Sequence, residues 1–87
     1  MKIIGIHNII RKDVPIFYKR FYKGTLAIEL MSKNQEVPIE FIIEHKPTGH
    51  LEIDVTLSET IDYPLVPLLK ELKKYIGELD SSRKLPD

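Results

Sequence analysis

The chain predicts an α+β domain: an antiparallel meander of four or five strands, with one C-terminal amphipathic helix packed on one face. Three observations carry this. Short β-rich runs alternate with turn signals at Lys12-Asp13-Val14-Pro15, Lys23-Gly24, Ser32-Lys33-Asn34-Gln35 and Lys46-Pro47-Thr48-Gly49. The runs at 37–46 and 50–57 alternate apolar and polar residues on either side of one of those turns. Near the C-terminus, Leu65, Leu68, Leu69, Leu72, Ile76 and Leu79 recur at helical spacing.

The hairpin around Lys46-Pro47-Thr48-Gly49-His50 is the best-determined element. Proline suits the first central position of a type I turn, because its φ is already near −65°. Glycine suits the left-handed position that follows, where a side chain would clash. The resulting three-residue loop, with a bulge at Gly49, sets Lys46 opposite His50 and Glu44 opposite Glu52. Ile39, Phe41, Ile43 and His45 then share a face with Leu57, Val55, Ile53 and Leu51. A slip of one residue would mix carboxylates into that face, so turn chemistry and hydrophobic pattern select one register.

The run 25–32 also alternates. With Lys33-Asn34-Gln35-Glu36 as a loop, Leu26, Ile28 and Leu30 fall opposite Ile43, Phe41 and Ile39. The aromatic run 16–22 predicts a further strand, hairpinned through Lys23-Gly24. A short helix from Asp13 to Gly24 is the alternative. Residues 2–10 are rich in isoleucine on both faces, which predicts a strand buried on two sides or lying at a dimer seam. The helix begins at Pro64 or Leu65, since Pro64 and Pro67 fit only its first turn, and ends near Leu79. Residues 1–80 form one domain, and residues 81–87 a polar tail that frays.

At 87 residues the chain holds one domain with a thin core, for which dimerisation is a common remedy. Thirteen basic residues balance thirteen acidic ones, so no global charge draws it to nucleic acid or a membrane. Local charge is uneven. Residues 1–23 carry six cations against Asp13 alone, a net of +5, whereas residues 24–63 carry a net of −6. The simplest account is that the two segments fold side by side. The absence of cysteine excludes thiol chemistry and favours a cytoplasmic location. No apolar run is long enough for a signal peptide or a membrane helix.

No phosphate loop, dinucleotide fingerprint or nucleophile elbow is present, so no enzyme activity and no cofactor are expected. The leading expectation is a non-enzymatic interaction module. Its partner is a second copy of itself or another protein, engaged through Phe17, Tyr18, Arg20, Phe21 and Tyr22, residue types enriched at interfaces. The alternative is nucleic-acid binding. There Arg11, Lys12, Lys19, Arg20 and Lys23 hold phosphates while Tyr18 or Tyr22 stacks on bases. A third reading is a metal or acid–base site at Glu44, Glu52 and His50 on the acidic hairpin face. Against it, a flat two-stranded face lacks the concavity of most sites. His45 and His50 point to opposite faces, so a shared zinc ion is disfavoured, and His45 is expected to be partly buried.

Overall fold

The structure, a computed structural model, describes residues 1–86. It contains β1 (Lys2–Lys12), β2 (Lys19–Leu30), β3 (Lys33–His45), β4 (Leu51–Leu57) and α1 (Leu65–Ser81). The strands form one antiparallel sheet in the order β1-β2-β3-β4, and α1 covers one face of it. The fold is the α+β meander with a C-terminal helix that the patterning predicts.

The covered face is built by alternation. Tyr22, Leu26 and Ile28 of β2 and Val37, Ile39, Phe41 and Ile43 of β3 are buried, and so are Leu68, Leu72 and Ile76 of α1. Each such side chain contributes roughly 1.5–3 kcal/mol on leaving water. Tyr22 lies opposite Phe41, their rings stacked 5.0 Å apart at 18°. The β3–β4 hairpin has the predicted register, with Glu44 opposite Glu52 and Phe41 opposite Val55. Its turn closes through Gly49 N–H to the Lys46 carbonyl (3.0 Å), and Gly49 has a φ of 89°.

The β2–β3 pairing differs from the prediction. Residues 33–36 are strand rather than loop, and Leu30 pairs with Lys33 across a two-residue turn, Met31-Ser32. Leu26 therefore faces Val37, not Ile43. The slip is even, so every side chain keeps its face. Both turn residues have positive φ, 50° and 64°, the geometry of a primed hairpin turn. Such turns normally announce themselves with Asn or Gly, and neither residue occurs here.

The region before Gly24 also departs from expectation. There is no hairpin at Lys23-Gly24 and no helix over 13–24, because β2 runs straight through both residues. Gly24 answers a different need. A β-carbon there would lie 3.1 Å from Ile6 Cγ2 and 3.3 Å from the His7 carbonyl oxygen. It sits beside a bulge of β1 between His7 and Ile10, where Asn8 has a φ of 55°. Glycine in a strand interior commonly marks such an approach. Residues 16–18, read as strand, are instead the turn entering β2, closed by Lys19 N–H to the Ile16 carbonyl (3.2 Å).

β1 is an edge strand and is not buried on two sides. Its two register shifts, Ile3/Gly5 and His7/Ile10, reset the alternation. Ile3, Ile6 and Ile9 all pack on the core, while Ile4 and Ile10 are 47% and 54% exposed. The density of isoleucine thus reflects bulges, not two covered faces. Leu65, placed in the helix stripe by its spacing, is exposed at the helix start. At the other end, Lys84 N–H reaches the Leu79 carbonyl (2.9 Å) and Arg83 N–H the Asp80 carbonyl (3.0 Å). This is a Schellman cap with arginine in the left-handed position that usually holds glycine. Leu85, in the segment predicted to fray, packs against the core.

Candidate interaction surface

The turn at residues 16–19 displays aromatic side chains. Phe17 and Tyr18 are its central residues, 97% and 46% exposed, with their rings edge to face at 5.7 Å. The turn is held from two sides. Its own closing bond is one tie, and His45 N–H donates to the Tyr18 carbonyl (2.8 Å). That second bond extends the β2–β3 ladder and sets Tyr18 beside His45, which in turn faces Leu51. Tyr18, His45 and Leu51 therefore form an exposed row across the end of three strands, on the side occupied elsewhere by α1.

The other aromatic and basic residues of this segment part company. Tyr22 is inside the core. Arg20 is turned inward and held: its guanidinium donates to both Asp80 carboxylate oxygens (2.9 and 3.1 Å), to the Tyr22 hydroxyl (3.0 Å) and to His45 Nε2 (3.1 Å). The Asp80 carboxylate raises the Arg20 pKa above its already high ordinary value, partial burial opposing it. The clamp ties β2 to the last turn of α1, and both partners are about a fifth exposed (19% and 18%). His45 is itself exposed rather than partly buried. Phe21 lies half-buried on the open face, between Lys12 of β1 and Ile42 of β3.

The five candidate phosphate-binding cations form no single track. By register, Arg11 and Arg20 share the helix side of the sheet, whereas Lys12, Lys19 and Lys23 lie on the open side. Lys12 pairs with Glu40 and Lys19 Nζ lies 3.9 Å from Glu44, so β3 carboxylates neutralise much of the open side. Arg11 and Arg20 line a cleft of about 470 Å³ with Tyr22, Asp80, Arg83 and Leu85.

On the acidic hairpin the space between the facing carboxylates is taken. Lys46 Nζ lies 3.3 Å from Glu44 and 2.8 Å from Glu52. The ammonium holds the Glu52 carboxyl below its usual range, and the carboxylates raise the Lys46 pKa. His50 is exposed at the turn. Among the described residues no group of three or more His, Asp or Glu is placed to hold a metal ion.

Sequence reasoning missed Asp80, sixty positions from its partner Arg20, for which no local signal exists. It also missed a groove of about 610 Å³ between β4 and the start of α1, lined by Val55, Leu57, Ile61, Tyr63, Leu65 and Leu69 among others. The exposure of Leu65 and Val66 borders it.

Among the described residues no helix is long and apolar enough to cross a membrane. No curated protein and no solved structure matches the chain. One family model does match, over residues 1–81, and the chain therefore belongs to that family, the BB-0187 family.

Proposed function

We propose that this protein is a non-enzymatic interaction module that works as a homodimer and presents the Phe17–Tyr18 turn to a partner protein. One observation carries the reading: Phe17 is 97% exposed on a turn fixed by hydrogen bonds, beside a second exposed aromatic. A rigid aromatic pair loses little conformational entropy on docking, which is why such residues anchor interfaces. Arg20 and Tyr22 serve this surface from behind, holding β2 against α1. A cytoplasmic setting is part of the same reading and rests on the absence of cysteine.

Nucleic-acid binding has less support, because its cations lie on both sides of the sheet and two of the three on the open side are paired with carboxylates. A photoreactive phenylalanine analogue at position 17, irradiated in cells, tests the turn. Discrete protein adducts are expected, absent when the analogue replaces the exposed Thr48. Equal labelling from both positions, or none from position 17, removes the turn from the function. Sedimentation velocity at micromolar concentration tests the homodimer, and a strictly monomeric species removes it.

A further inference from the structure

The homodimer proposed above needs a seam, and the two edges of the sheet are not equivalent. β1 carries two bulges, a residue with positive φ and the cations Lys2, Arg11 and Lys12. These are the devices by which edge strands avoid pairing with another chain. β4 has none of them. It pairs with β3 without a register shift, and the sheet gives it no other neighbour among the described residues.

The hydrogen-bond phase of β4 follows from its ends. Lys46 N–H bonds the His50 carbonyl, and Ser58 N–H bonds the Pro38 carbonyl. In an antiparallel ladder alternate residues bond inward, so Glu52, Asp54 and Thr56 bond β3. Leu51, Ile53, Val55 and Leu57 aim their N–H and C=O groups outward. An added strand must match this phase, which leaves few two-fold registers. Centring on Ile53 sets Glu52 against the partner's Asp54. Centring on Asp54 sets that carboxylate against its own copy. Centring on Thr56 pairs only a short stretch of β4. Centring on Val55 pairs residues 53–57 of both copies, places Ile53 opposite Leu57 on the helix side, and gives every β4 carboxylate a hydroxyl. Asp54 meets Thr56 and Glu52 meets Ser58. The groove beside β4, with exposed Leu65 and Val66, then lies at the seam.

We propose that β4 pairs with β4 of a second copy about a two-fold axis at Val55, joining two four-stranded sheets into one. The interface is isologous and closes as a dimer. The proposal rests on the homodimer reading, and the test separates the two. Equilibrium sedimentation is compared for four proteins: the unaltered chain, Thr56→Asp, Thr56→Asp with Asp54→Lys, and Val55→Pro. Residues 54 and 56 are exposed on the open face, so the first two variants spare the core. Thr56→Asp places like charges opposite each other twice and weakens the dimer about tenfold or more. Adding Asp54→Lys turns both contacts into attractions and restores it. Val55→Pro removes only an outward N–H, so the variant keeps the circular dichroism of the fold and sediments as a monomer. A dimer indifferent to Thr56→Asp and Val55→Pro overturns the β4 seam and leaves the homodimer standing. A dimer weakened by Thr56→Asp but not restored by Asp54→Lys overturns the Val55 register. An unaltered chain that stays monomeric overturns seam and homodimer together.

Discussion

The two hairpins of the meander share β3 yet are fixed by different forces. At Pro47-Thr48-Gly49 the loop chemistry dictates the pairing. Proline presets the first corner and Gly49 takes the left-handed one at φ 89° without steric cost. At Met31-Ser32 two residues with side chains hold positive φ, and Met31 is 92% exposed, so nothing in the turn itself recommends the conformation. The strands impose it: Tyr22 stacks on Phe41 and Leu26 meets Val37 only if the chain reverses there. One hairpin is led by its loop and the other by its core.

That contrast can be broken most forcefully at Phe41, which packs on the strands of both hairpins. Phe41→Ala should destabilise the fold by about 3–5 kcal/mol, read by urea denaturation. Because the core alone holds the β2–β3 register, amide exchange should accelerate more in residues 22–30 than in residues 51–57. Equal acceleration would show that the Met31-Ser32 turn needs no help from the core. The turns themselves should respond with opposite signs. Gly49→Ala forces a side chain into the left-handed region and should cost about 1–2 kcal/mol. Met31→Asn with Ser32→Gly supplies the residues that a primed turn prefers and should stabilise by roughly 0.5–1 kcal/mol. A destabilised double variant would mean that Met31 and Ser32 make contacts beyond the turn.

The smallest effect concerns the Glu44–Lys46–Glu52 cluster beside the loop-led turn. The Glu52 pKa is lowered, so its pairing stabilises above the ordinary value of 4.5 and is lost as pH falls through the lowered folded value. The Lys46 pKa is raised, so its pairing stabilises below 10.5 and is lost as pH rises through the raised folded value. Lys46→Met should therefore lower Tm slightly between those limits, converge with the unaltered protein at either end, and lose its effect in high salt, since these groups are solvated. A difference that persists in acid would assign Lys46 a packing role instead.

The sequence made legible those features that local chemistry decides. The Gly49 loop fixed the β3–β4 register, and the spacing of Leu68, Leu72 and Ile76 placed the helix. Where residues answer to distant partners, the signal was silent or misleading. Gly24 has the composition of a turn but exists for the bulge at Asn8 in another strand. The isoleucines of β1 follow a spacing of three because two bulges intervene. In the interaction surface, Phe17 and Tyr18 were identifiable as aromatics in a basic segment. Their separation from Tyr22 was not, because the one turn residue that divides outward from inward lies inside a run of uniform β propensity.

The Arg20–Asp80 clamp also bears on how the molecule is made. It joins the first long strand to the end of the helix, so it cannot close until nearly all the chain has left the ribosome. Throughout synthesis the oily side of the meander waits without its cover, and the last turn to emerge is the one that latches the helix down.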